Sequence, residues 1–152
     1  MATKDILLVD DCAVQLRLLS MILESRGFKV SAASDGFKAL ELLERNQYRV
    51  MITDFNMPGM NGIELAARVR NEHPATRVVL VTANAIPGII QGAASAGISE
   101  IFSKLTDIET LLDSIRSALS GEPWQPARPP LGDSGNSNSD KEEVRLRSPL
   151  QK

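Results

Sequence analysis

Apolar residues along the first 120 positions alternate between two rhythms. Ile6-Leu7-Leu8-Val9 is a short unbroken apolar run, too short for a helix and suited to a strand buried on both faces. Val14, Leu18, Met21 and Ile22 then recur at helical spacing, predicting a first helix that buries this face and stops at Gly27. Phe28 to Ala33 reads as a second strand. Asp35 follows as the cap of a helix carrying Phe37, Ala39, Leu40 and Leu43 on one side. A third strand runs from Tyr48 to Thr53 and ends at Asp54. After a loop from Phe55 to Asn61, Gly62 opens a third helix over Ile63, Leu65, Ala66 and Val69, and Pro74 marks the turn beyond it. Arg77 to Thr82, the most β-branched run, is the fourth strand. A weaker helix follows from about Ile89 to Ala96. Its interior Gly92 costs about 1 kcal/mol of propensity, and Gly88 and Gly97 mark its ends. Ser99 to Ser103 is a fifth strand, and Ile108, Leu111, Leu112, Ile115, Ala118 and Leu119 line one face of a last helix. Strands alternating with helices at this spacing predict an α/β domain with a parallel sheet and right-handed crossovers.

Past residue 120 the pattern stops. Five of the eight prolines lie in the last 32 residues, and residues 132–139 contain no large apolar side chain. Such a segment buries too little surface to offset its ordering entropy, so 1–120 is expected as the folded domain and 121–152 as a disordered tail rich in Pro, Ser, Gly and Asn. A net charge of −2 argues against a general nucleic-acid or membrane-surface binder. The single cysteine, Cys12, excludes an intrachain disulfide and a cysteine-built zinc site, and is expected as a small packed residue. With no apolar stretch of membrane-spanning length, roughly 20 residues, the chain is expected to be soluble and cytoplasmic.

The chemistry-bearing residues sit where strands run out. Asp10 and Asp11 follow the first strand, Asp54 the third, Thr82 ends the fourth and Lys104 follows the fifth. In an open parallel sheet these carboxyl ends form the ligand crevice. Three carboxylates gathered there repel one another and call for a cation, and hard oxygen donors with room for water suit Mg²⁺. Asp54 is the candidate nucleophile for an acyl phosphate, with Thr82 and Lys104 as partners of the phosphoryl oxygens.

In these positions, and in the segment Met57-Pro58-Gly59-Met60-Asn61-Gly62, the chain resembles the receiver domain of two-component response regulators over roughly residues 4–120. The resemblance implies a flavodoxin-like sheet of five strands in order 2-1-3-4-5 flanked by five helices. It also implies a Mg²⁺ site built from Asp10, Asp11, Asp54 and the backbone carbonyl of Asn56. A histidine kinase or phosphotransfer protein would phosphorylate Asp54, and phosphorylation would draw Thr82 inward. The surface of the fourth helix, fifth strand and fifth helix would then signal to a downstream protein by population shift. Direct DNA binding and membrane association are not expected.

Two positions depart from the family pattern. Leu105 stands where a proline usually follows the lysine, so a trans bond is expected there. The switch aromatic position is Ile101, while Phe102, one step on, faces the other side of the strand. A non-phosphorylated binding scaffold on the receiver fold is the alternative reading. An aspartyl-phosphate hydrolase is disfavoured because Asn56 stands where such enzymes often carry a second acid.

Overall fold

The computed structural model describes residues 2–83, 87–104, 108–120 and 145–147. The elements alternate along the chain as β1 (Ala2–Val9), α1 (Ala13–Ser25), β2 (Val30–Ala33), α2 (Gly36–Arg45), β3 (Asn46–Asp54) and α3 (Gly62–Glu72). They continue as β4 (Arg77–Thr82), α4 (Pro87–Ser95), β5 (Glu100–Ser103), α5 (Ile108–Ser120) and β6 (Arg145–Arg147). All strands pair in parallel, and the five expected ones stand in order 2-1-3-4-5. A sixth strand lies outside β5, giving the order β2-β1-β3-β4-β5-β6. It comes from the segment expected to lack regular structure. Backbone pairing needs no apolar side chains, so composition alone does not register it. Residues 121–144 and 148–152 of that segment lie outside the described residues.

The unbroken apolar runs of the strands follow from helices covering both faces of the sheet. Leu7, Val9, Met51, Val78, Leu80 and Ile101 point to one side, where they pack with Ala39, Leu43, Leu65, Ala66, Val69 and Ala93 of α2, α3 and α4. Ile6, Leu8, Val50, Ile52, Val79 and Phe102 point to the other, against Leu23 of α1 and Leu111, Leu112 and Ile115 of α5. Ile101 and Phe102 thus face opposite layers, both fully buried, as strand alternation requires.

Three helices depart from the sequence reading. In α1 the outward residues are Val14, Leu18 and Met21, 74%, 57% and 58% exposed, whereas Leu16, Leu19 and Leu23 turn toward the sheet. The helix carries two apolar stripes, and periodicity alone does not say which one the sheet takes. In α2 the outlying residue is Phe37, which is 54% exposed and lies beside Gly59, while Ala39 and Leu43 are buried. Helix α4 begins two residues before the expected start, with Pro87 at its first position, where a missing N–H costs nothing. Gly88 is therefore inside it. Gly97, at φ +83°, does lie just beyond its end. Cys12, expected to be packed, is the exposed N-cap residue of α1.

A buried ion pair ties β5 to its surroundings. Glu100 is only 4% exposed, meets Arg77 at 3.3 Å and accepts a hydrogen bond from Ser114 Oγ at 2.7 Å. This links the first residue of β5 to both β4 and α5.

Candidate functional site

Register brings the candidate residues to one edge. Val9 is paired with Thr53, Asp54 with Val81, and Thr82 with Ser103. Asp10, Asp54, Thr82 and Lys104 therefore all lie at the carboxyl ends of adjacent strands, at the place where chain order reverses between β1 and β3. Ligand atoms of Asp10, Asp11 and Asp54 fall within 4.8 Å of one another. The Lys104 ammonium lies 3.3 Å from Asp54 Oδ2 and 3.7 Å from Asp10 Oδ2. Thr82 is buried, and its carbonyl accepts the Lys104 backbone N–H at 3.0 Å, which fixes where the lysine leaves the sheet.

Each carboxylate is oriented by backbone. Asp10 Oδ1 accepts the N–H of Cys12 at 2.9 Å, and Asp54 Oδ1 accepts the N–H of Phe55 at 2.8 Å. Asp54 is 7% exposed. Burial pushes its carboxyl above the ordinary range; the Lys104 ammonium opposes this and the neighbouring Asp10 charge adds to it. A cation at the acidic cluster would relieve both the desolvation and the repulsion. The donor set is all oxygen, combining a buried acid with an exposed one, and this fits a hard, partly hydrated divalent ion such as Mg²⁺. Asn56 is exposed in the loop two residues beyond Asp54.

The loop following Asp54 is held by its own sequence. Met57 and Met60 are buried in the α2–α3–α4 layer, anchoring both ends of the turn through Pro58 and Gly59. Gly59 has φ +85°, a conformation that favours glycine. Asn61 caps α3 in a reciprocal capping box with Glu64. The N–H of Gly62 returns to the Phe55 carbonyl at 2.9 Å, and a Cβ at Gly62 would stand 2.3 Å from the Asp54 carbonyl oxygen. The Met-Pro-Gly-Met-Asn-Gly segment thus supports the backbone that presents Asp54.

The response regulator receiver domain family matches residues 6–116. The chain belongs to that family. Among relatives, this receiver is 34% identical over 113 residues to chemotaxis protein CheY-3 of Vibrio cholerae, covering 72% of this chain and 87% of that protein. It is 36% identical over 110 residues to sensor histidine kinase RcsC of Salmonella typhimurium, covering 72% of this chain but only 12% of the kinase. Among solved structures, the signal receiver domain of an HD-domain-containing protein from Pseudomonas fluorescens superposes with a TM-score of 0.73 at 32% identity, covering 77% of this chain and 94% of the other. Response regulator TrrA of Thermotoga maritima, solved in complex with Mg²⁺ and BeF, gives 0.69 at 27% identity, covering 76% and 98%.

Sequence reasoning missed two groups at this receiver's site. Gln15, in the first turn of α1, accepts from Lys104 Nζ through Oε1 at 3.0 Å. Thr53 is fully buried, and its hydroxyl donates to the Asp54 carbonyl at 2.9 Å. Neither carried a signal: a glutamine on a helix surface and a threonine in a strand are ordinary choices. A cavity of about 280 Å³ between the sheet, α1 and α5 is lined by Asp54 and Lys104 together with the apolar Leu19, Phe102 and Leu111. Leu105 lies outside the described residues, as does the expectation of a trans bond there.

Proposed function

We propose that this receiver is a phosphorylation-dependent signalling switch that takes its phosphoryl group on Asp54 from the phosphohistidine of a kinase or phosphotransfer protein. The carrying observation is a buried carboxylate with an ammonium 3.3 Å from Oδ2 and two more carboxylates beside it. Asp10, Asp11, Asp54 and the Asn56 carbonyl are the groups to hold Mg²⁺, which would supply charge neutralisation for the incoming phosphoryl group. In the transfer, the phosphorus–nitrogen bond of the donor breaks, a phosphorus–oxygen bond to Asp54 forms, and the imidazole leaves. Phe55 N–H holds Oδ1, so Oδ2 faces Lys104, whose ammonium can follow the charge onto the phosphoryl oxygens. Thr82 supplies a hydroxyl to another oxygen, and its inward movement would carry the signal toward the α4–β5–α5 surface, where a downstream protein binds.

The donor would dock on the rim of this pocket. Helix α1 starts immediately after Asp10 and Asp11 and exposes Val14, Leu18 and Met21 along one stripe, an apolar surface beside the acceptor. Slow self-dephosphorylation and a cytoplasmic location belong to the same reading. No described helix is long and apolar enough to cross a membrane. The reading is tested by incubating the chain with a labelled phosphohistidine protein. Label should move to the wild type and not to Asp54→Asn. Retention of all label on active donors would count against it.

A further inference from the structure

The outer edge of β5 carries an occupant that the phosphoryl site does not explain. Arg145, Leu146 and Arg147 run parallel to β5, opposite Glu100, Ile101 and Phe102 respectively. The inner edge of β5 is committed to β4: the Lys104 N–H donates to the Thr82 carbonyl, in step with the Val79–Glu100 and Val81–Phe102 register. Strand alternation then turns the amides of Glu100 and Phe102 toward β4 and those of Ile101 and Ser103 outward. Without a neighbour these would form an open edge, a template for pairing with any extended chain. Ile101 is opposite Leu146, so its outward N–H and C=O face the peptide groups on either side of Leu146, and the N–H that turns toward β5 is that of Arg147.

The added strand does not continue the winding of the sheet. As strand order advances from β3 to β5, the connecting helices α3 and α4 lie on one face, whereas α5, which precedes β6, lies on the other. Strand β6 is three residues long and follows a stretch of composition that builds no core. It is laid against a finished sheet from outside.

We propose that the outer edge of β5 is a strand-acceptor site and that Arg145–Arg147 of the same chain is its resident occupant, a detachable guard held by backbone pairing. The edge takes an extended peptide in parallel register, so an extended partner segment reaches β5 only by displacing the guard. Because β5 leads into Lys104, guard and phosphoryl site share a strand, yet the acceptor edge stands or falls independently of Asp54 chemistry.

Amide exchange of the full-length chain, read residue by residue by NMR, tests this. Arg147→Pro removes the N–H that faces β5, whereas Arg147→Ala keeps the backbone. In Arg147→Pro the Ile101 and Ser103 amides should exchange about tenfold faster or more, with β1 and β3 unchanged, while Arg147→Ala stays within about threefold of wild type. Unchanged β5 exchange in the proline variant would overturn the proposal. So would wild-type protection that grows with protein concentration, because the occupant would then come from a second copy.

Discussion

At Gly62 a side chain has nowhere to go. A Cβ there would meet the Asp54 carbonyl oxygen at 2.3 Å and Leu80 Cδ1 at 2.9 Å. The first obstacle is backbone, and it belongs to the residue that presents the acceptor carboxylate. Gly62→Ala should therefore cost about 1–3 kcal/mol in urea unfolding and also lower phosphoryl uptake by shifting Asp54. Asp54 itself gives a pH prediction for the metal-free protein. Its carboxyl is raised chiefly by burial, so the folded state favours the neutral form. The stability linked to that proton is fully present below the ordinary carboxylate range and is lost as pH rises through the raised value. Thermal melts in chelator should then find Asp54→Asn more stable than wild type at neutral pH, with the gap closing in acid. A gap that widens in acid would mean that the ionised acid is favoured by its surroundings.

At the scale of elements, α1 shows what periodicity leaves open. Leu16, Leu19 and Leu23 on one side and Val14, Leu18 and Met21 on the other both satisfy helical spacing, so the helix was legible but its orientation was not. The strands were more legible because both of their faces are buried, and the ends at Asp54 and Thr82 fell where expected. The Lys104–Gln15 contact was out of reach, since it depends on how α1 sits against β5. The outward stripe makes Leu18→Glu informative. It should leave stability within about 0.5 kcal/mol of wild type, leave uptake from a small phosphodonor unchanged, and slow transfer from a phosphohistidine protein. Equal slowing from both donors would move the role of Leu18 from docking to folding. Glu100 is an element-scale device of another kind, joining β5 to β4 and α5. Glu100→Ala should cost about 2–3 kcal/mol, because it strands the Arg77 charge and the Ser114 hydroxyl; Glu100→Gln, which keeps an acceptor, should cost less.

For the whole molecule, the α/β class, the strand order and the convergence of Asp10, Asp11, Asp54, Thr82 and Lys104 at the ends of the strands are legible in the sequence. The class and the convergence rest on burial patterns and on residues placed where strands stop, whereas the strand order is what the resemblance to receiver domains implies. The tail was legible only as a change of composition, because β6 depends on backbone pairing that three residues of almost any type could make. The chain spans 12% of the sensor kinase it matches and 87% of the chemotaxis protein, so the phosphoryl chemistry common to a receiver is the claim to test first. The direct measurement is intact mass after incubation with a small-molecule phosphodonor and Mg²⁺, for wild type and Asp54→Asn. A single phosphoryl adduct that requires Mg²⁺ and is missing from Asp54→Asn is the result expected. A folded wild type that binds Mg²⁺ and gains no adduct would contradict the phosphoacceptor account.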